Sequence, residues 1–340
     1  MNVEFQRMIS LAIAGNASDI YLAAERKCFF RMDGKMEACD AVFSLEEVES
    51  ILEEMLSPQQ RERFSAEWEL DFSWETQGRR FRGNVFMAGG KPSVVLRLVP
   101  NRIPSLQEIG AGAVFQRLLQ VEHGLVLVTG RTGSGKSTTI ASYLEAITLQ
   151  KPIHVITLED PVEYVHPPKH AFISQRELGT DFHSFPQALR SALREMPDII
   201  MVGELRDPET VRTALMAAES GILVLGTLHS KSVAEAAMRV EGMFQASERD
   251  SVRDQLAGCV TAILSQMLVP LASGGRTACM EVLLATDAVR NILRQGKYSQ
   301  LASVMMSGRS LGMQTMEAGM QALWQSGKVS RAVGMEEVFL

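Results

Sequence analysis

The feature that most constrains this chain is the octet Gly130-Arg-Thr-Gly-Ser-Gly-Lys-Ser137. It fits G-x-x-x-x-G-K-[ST], a loop whose backbone N–H groups cradle phosphates. The bare pattern arises by chance in on the order of 1 in 100 chains of this length. Its surroundings make chance a far weaker explanation. The apolar run LVLVT leads in and TTIASYLEAI leads out, the strand–loop–helix setting that such a loop needs. The residue types predict that Lys136 bridges the β- and γ-phosphates of a nucleotide and that Ser137 ligates Mg²⁺ through its hydroxyl. Gly130, Thr132, Gly133, Ser134, Gly135 and Thr138 complete the expected binding segment.

Beyond this loop the chain alternates strands and helices. Segments 124–129, 153–158, 199–203 and 222–228 read as strands, and 136–149, 185–195 and 208–220 as helices. Such alternation predicts an α/β fold, a parallel sheet with helices on both faces. From about Arg249 the pattern reads as largely helical. The first hundred residues read instead as a small α+β unit. A first helix is followed by strands at 19–22 and 28–32, with a turn at Asp33-Gly34. Ser44-Leu-Glu-Glu47 reads as a capping box opening a helix to about Leu56. Three further strands are expected at 70–75, 80–87 and 93–99. Pro100 and Pro104 then break the pattern. The expected organisation is an N-terminal domain at 1–100, a linker at 101–110 and a P-loop domain at 111–340.

In open α/β sheets the chemistry lies beyond the carboxyl ends of the strands. Glu159 and Asp160 follow one strand, with Glu163 a short turn later. Glu204 follows IIMVG, and His229 follows LVLGTL. With Lys136, these residues are predicted to meet at one sheet edge. Phosphoryl transfer to water calls for one carboxylate that holds Mg²⁺ and another that orients the attacking water. Glu204 suits the first role and Glu163 the second, though the two can exchange. Taken singly, each acid reads equally well as a solvated loop carboxylate, and His229 as a structural histidine. Their convergence beside the loop favours function, with His229 expected to contact or sense the γ-phosphate. Asp207-Pro208 reads as a helix start with Asp207 as N-cap. Arg206 is close to the site but has no role assigned from the sequence.

Composition narrows the classes further. A net charge of −6 argues against a nucleic-acid partner. The four cysteines, Cys28, Cys39, Cys259 and Cys279, form no C-x-x-C pair, which argues against zinc and against a disulfide scaffold. No run approaches the roughly 20 apolar residues of a membrane span. The short stretch MISLAIAG follows Glu4 where a signal peptide carries basic residues. The expected location is the cytoplasm, with membrane contact only through partners.

At this point the residues match a family. Ala17-Ser-Asp-Ile-Tyr-Leu22, Arg31-Met-Asp-Gly34 and the segments 80–87 and 94–100 resemble the N-terminal domain of the secretion and pilus motor ATPases. Segment 130–139 is similar to their Walker A. Ile156-Thr-Leu-Glu-Asp-Pro-Val-Glu-Tyr164 is similar to their Asp box, with Gln175-Arg-Glu177 downstream. Asp198-Ile-Ile-Met-Val-Gly-Glu-Leu-Arg-Asp207 resembles their Walker B, and Gly226-Thr-Leu-His229 the end of their His box. Ala288-Val-Arg-Asn-Ile-Leu-Arg294 and Gly312-Met-Gln-Thr315 resemble elements of the branch that retracts type IV pili.

The resemblance implies a RecA-like P-loop ATPase core, a smaller PAS-like N-terminal domain and a helical C-terminal region. It implies a homohexamer, with ATP and Mg²⁺ bound between the two domains of a subunit and Glu159 among the nucleotide-site residues. By position, Arg82 and Arg97 match arginines that stabilise phosphate charge. On sequence alone, strand alternation also lets them point to solvent, opposite Phe81, Val85, Leu96 and Leu98. Further implications are pilus retraction and twitching motility, and an inner-membrane pilus platform protein as partner at the cytoplasmic face. A paralogous retraction ATPase is a further expected partner. The short N-terminus and the lack of a four-cysteine zinc element favour retraction over assembly or secretion. Departures are Arg131 where proline is common, Ile222 at the first His-box position and Gln295 in place of an acid. Arg131 should leave phosphate binding intact, because the loop binds through its backbone. Ile222 opens a second reading, a low-activity accessory or regulatory paralogue. A nucleic-acid translocase on a similar core is a third, disfavoured by the acidic charge.

Overall fold

Short polar side chains start the helices of the N-terminal segment. Asn2 accepts from the N–H groups of Glu4 and Phe5 and opens α1 (Val3–Ala14). Three strands follow, β1 (Asp19–Ala23), β2 (Lys27–Met32) and β3 (Lys35–Val42). The expected capping box is formed: Ser44 accepts from the Glu47 N–H, and the Glu47 carboxylate accepts from the Ser44 N–H. It opens α2 (Leu45–Met55), and a second box at Ser57 and Gln60 opens α3 (Pro58–Glu67). β4 (Glu69–Thr76), β5 (Arg79–Ala88) and β6 (Lys91–Leu98) complete a six-stranded antiparallel sheet in the order β3-β2-β1-β6-β5-β4. Phe5, Met8 and Ile9 of α1 and Val48 and Ile51 of α2 pack with Ile20, Phe81, Val85 and Leu96 of the sheet in one core. Each such side chain contributes about 1.5–3 kcal/mol on burial. The edge strand β3 escaped the sequence reading because it is exposed along most of its length and shows no apolar alternation.

This computed structural model describes residues 2–330 except 33, 101, 168 and 169. Asp33 of the expected turn, Asn101 of the expected linker and 331–340 of the expected second domain lie outside the described residues. The chain divides into two compact units, Met1–Asn101 and Arg102–Leu340.

The second unit is built on a seven-stranded sheet in the order β13-β12-β7-β11-β10-β8-β9. Its strands are β7 (Gly124–Thr129), β8 (His154–Glu159), β9 (Phe172–Glu177), β10 (Ile199–Val202), β11 (Leu223–Leu228), β12 (Val260–Pro270) and β13 (Arg276–Leu284). All pairings are parallel except the β12–β13 hairpin. β7, β10 and β11 are buried along their whole length, as central strands covered on both faces must be. The helices are α4 (Ala113–Leu118), α5 (Lys136–Thr148), α6 (Phe185–Ala192), α7 (Pro208–Glu219), α8 (Val233–Gly242), α9 (Arg249–Cys259), α10 (Asp287–Arg294), α11 (Leu301–Ser307) and α12 (Met316–Gln325). On one face Leu127, Ile156 and Val202 meet Leu189 of α6, Leu215 of α7 and Leu256 of α9. On the other, Val126 and Val128 meet Phe115 of α4 and Ile140 and Leu144 of α5.

One expectation needs correction. Among the described residues beyond Arg249, helices precede and follow 260–284, which is a β-hairpin of the main sheet rather than helix. The run VTAILSQMLVP is buried along most of β12, so it lacks the period-two alternation of a half-exposed strand. Periodicity alone does not separate a buried strand from a buried helix.

Candidate active site

β7 hands the chain to a tight loop, and α5 takes it up at Lys136. Gly133 and Gly135 adopt φ of +77° and +87°, a region where glycine sits without strain. At Gly130 an added Cβ would lie 2.4 Å from the Gln266 carbonyl oxygen and 2.4 Å from Ser134 Oγ. No side chain caps the start of α5, which suits its first N–H groups to an anion. Lys136 is buried. Its Nζ donates to the carbonyl oxygens of Gly130 and Arg131 at 2.9 and 3.2 Å and lies 3.5 Å from His229 Nδ1. Burial pulls the Lys136 pKa down, while the Glu204 and Glu163 carboxylates push it back up, so both acids act on one ammonium. Ser137 is half-buried in the first turn of α5, and Thr132 is exposed on the loop. The Thr138 hydroxyl pairs with the Tyr164 hydroxyl at 2.9 Å.

Glu204 follows β10. Its Oε2 accepts from Arg206 Nε at 2.7 Å and lies 3.3 Å from His229 Nε2. His229 therefore stands between Lys136 and Glu204, one ring nitrogen toward each. The Thr129 hydroxyl, at the end of β7, lies 3.1 and 3.0 Å from the carbonyl oxygens of Leu228 and Ser230 and accepts from the Ser230 N–H at 2.9 Å. It holds the turn that carries His229. Arg206 also reaches Asp160 Oδ2 at 3.5 Å, linking the two acidic segments. Asp207 caps α7, accepting from the Thr210 N–H at 2.8 Å.

Glu159 is turned into its own loop. It accepts from Thr157 Oγ1 at 2.7 Å, Gln175 Nε2 at 3.2 Å and the Glu163 N–H at 3.4 Å, and its burial raises its pKa. Gln175 also donates to the Tyr164 carbonyl at 2.8 Å and accepts from the His166 N–H at 2.8 Å. Glu177 accepts from the Val162 N–H at 3.0 Å. Three side chains thus brace the loop from within, and Glu163 is exposed on it.

The placement of Gln266 was not legible in the sequence. Gln266 of β12 reaches under the phosphate loop, where its Nε2 donates to the Ser134 carbonyl at 2.6 Å and its Oε1 accepts from the Thr139 hydroxyl at 2.7 Å. Ile222 immediately precedes β11, whereas His229 immediately follows it. The intervening strand separates them by about 20 Å.

In the N-terminal unit, Arg82 of β5 lies directly opposite Arg97 of β6. Arg97 in turn lies opposite Asp19 of β1, and Asp19 opposite Arg31 of β2. Asp19 is buried and accepts from Arg97 Nε at 2.8 Å and from the Ser18 hydroxyl at 2.8 Å, with Arg31 Nε at 3.7 Å. Arg82 is exposed on the face opposite the buried Phe81. The row holds three guanidinium groups against one carboxylate, a local excess of positive charge.

The Ser137 hydroxyl and the Glu204 carboxylate are hard oxygen donors of the kind Mg²⁺ prefers. Among the described residues no group of three or more His, Cys, Asp or Glu could hold a metal ion by itself. This donor set suits a small cation whose shell is completed by phosphate oxygens and water.

Residues 2–322 match the Type II/IV secretion system protein family. The chain is 40% identical over 337 residues to the type IV pilus retraction ATPase PilT of Pseudomonas aeruginosa, covering 98% of each chain. It is 44% identical over 289 residues to a twitching motility protein of Neisseria gonorrhoeae, covering 84% of this chain and 77% of that one. A crystal structure of the pilus retraction motor PilT with bound ADP matches with a TM-score of 0.91 at 39% identity, covering 97% of this chain and 95% of that one. The chain belongs to the Type II/IV secretion system protein family and is similar to PilT over nearly its whole length.

Proposed function

We propose that this chain hydrolyses ATP with Mg²⁺ and couples turnover to retraction of a type IV pilus. The observation that carries the chemistry is the line Lys136–His229–Glu204, with steps of 3.5 and 3.3 Å, at the carboxyl edge of the parallel sheet. Similarity to PilT supports the biological setting.

In this reading the N–H groups of 130–135 and of the first turn of α5 bind the β-phosphate. Lys136 exchanges its two loop carbonyls for β- and γ-phosphate oxygens. Ser137 and Glu204 would hold Mg²⁺, which when bound neutralises phosphate charge. Glu204 is gripped by Arg206 and His229, which suits a fixed metal ligand. Glu163 lies exposed on its braced loop, which suits a group that orients water and takes its proton. Glu159 keeps that loop in shape. His229, between Lys136 and Glu204, reports whether Lys136 has moved to phosphate. Arg82 and Arg97 supply positive charge to the transferred phosphoryl group. The working form is a homohexamer that pulls on an inner-membrane pilus platform protein at the cytoplasmic face, alone or beside a paralogous retraction ATPase.

The test is steady-state phosphate release by the purified protein with Mg-ATP, beside Lys136→Ala. Clear turnover that vanishes in the variant is expected. Tight ATP binding without turnover by the wild type would overturn the motor reading and leave the accessory one.

A further inference from the structure

We infer that Gln266 is a positioning residue for phosphate binding, acting through the peptide that joins Ser134 to Gly135. The inference rests on the nucleotide reading of the loop and adds to it a residue that no motif contains.

β12 runs parallel to β7, with Ser265 level with Thr129. The next residue, Gln266, therefore comes out of the sheet beside the first residue of the phosphate loop. Its side chain is only 3% exposed. An amide in such a place must find partners for its donor and its acceptor, and both are found in the loop and the helix that follows. Nε2 donates to the Ser134 carbonyl at 2.6 Å, and Oε1 accepts from Thr139 Oγ1 at 2.7 Å. One side chain thus ties the middle of the loop to the first turn of α5.

The direction of the first bond matters most. A trans peptide is planar, with its C=O and N–H pointing opposite ways. Holding the Ser134 carbonyl down on Gln266 turns the Gly135 N–H away from β12, to the side where phosphate oxygens bind. Two glycines show how closely the loop is moulded on this residue. A Cβ at Gly130 would meet the Gln266 carbonyl oxygen at 2.4 Å, and one at Gly135 would meet Gln266 Nε2 at 2.9 Å. Without the amide, the 134–135 peptide is free to flip, and the bound nucleotide loses one aligned donor.

The experiment measures displacement of a fluorescent ADP from the full chain, together with ATPase kinetics. Gln266→Glu keeps the shape and the acceptor for Thr139 but removes the donor to Ser134. Gln266→Leu removes both bonds, and Thr139→Val removes only the second. We expect ADP to bind about tenfold more weakly, the scale of one lost hydrogen bond, in both Gln266 variants. The KM for ATP should rise in step while kcat stays within about threefold, the pattern of lost uniform binding. Thr139→Val should change affinity by less than about threefold. Wild-type affinity in Gln266→Glu, or a fall in kcat at unchanged KM, would overturn the inference and leave Gln266 a packing residue. Loss in Thr139→Val equal to that in Gln266→Glu would equally overturn the role of the Ser134 carbonyl. If Gln266→Leu fails to fold, the near-isosteric Gln266→Glu decides alone. A wild-type protein that binds no ADP would overturn the nucleotide reading itself, a distinct result.

Discussion

The two ends of the seven-stranded sheet are put to different use. At the carboxyl ends of β7, β8, β10 and β11 stand Lys136, Glu163, Glu204 and His229, whose partners include other side chains of the same edge. At the amino ends, the polar contacts of the strands are with backbone. Asp198 accepts from the His154 N–H at 2.8 Å, and the Ile222 carbonyl accepts from the Gly124 N–H at 3.1 Å. The asymmetry follows from strand polarity. In a parallel sheet the helices α5, α7 and α8 all begin at the carboxyl edge and bring partial positive charge to one side; Asp207 and Ser232 cap α7 and α8, whereas no side chain caps α5. The amino edge collects helix ends, whose carbonyl oxygens repel anions. The lesson concerns motifs as much as edges. Ile222 and His229 fall in one stretch of sequence, but the strand between them sends them to opposite ends of the sheet.

Three substitutions break or sharpen this contrast. The largest effect is expected for Glu163→Gln at the carboxyl edge. Phosphate release should fall about 100-fold or more, the scale of a lost general base, with the thermal midpoint unchanged. Turnover within tenfold of wild type would remove Glu163 from the chemistry. The next is Asp198→Ala at the amino edge, which should cost about 0.5–1.5 kcal/mol in urea unfolding by exchanging the exposed hydrogen bond to the His154 N–H for one to water. Its turnover per folded molecule should match the wild type, and a tenfold loss would erase the distinction between the edges. The smallest effect is expected for Ile222→His. Half-burial against the core limits the cost to about 1 kcal/mol, and turnover should stay within about twofold. A tenfold gain in phosphate release would show that the amino end speaks to the site and would revive the accessory reading.

What could be read from the sequence is what lies close together in it. The phosphate loop is contiguous, so its glycines, Lys136 and Ser137 are legible as a unit. The carboxylates and His229 are legible because each follows a buried strand, and strand ends in a parallel sheet share an edge. The capping box at Ser44 and the cap at Asp207 are local contacts of three residues and are formed as expected. The rest was hidden for two reasons. β12 is buried on both sides, so its pattern carries no period. The bracing of the Glu163 loop by Gln175 and Glu177 depends on β9 pairing in parallel with β8, and a polar edge strand announces itself by neither alternation nor length. Glu159 shows the same limit at one residue. Its place at a strand end was legible, whereas its bonds to Thr157, Gln175 and the Glu163 backbone were not.

The sheet order also sets a timetable for the growing chain. Ser134 and Gln266 are 132 residues apart, so the ribosome finishes the loop long before it makes the strand that supports it. At ordinary synthesis rates the delay is roughly 10 s. During that time β7 has no neighbour on its β12 side, and the loop has nothing beneath it to orient its peptides. On the inference drawn for Gln266, a half-made chain is a poor binder of the cell's most abundant nucleotide. It becomes a competent one only after the hairpin arrives, and Ile292, Leu293, Leu301 and Met305, made later still, then complete the core on that face of the sheet. The late strand acts as a commissioning step, separating the time of synthesis from the time of fuel consumption.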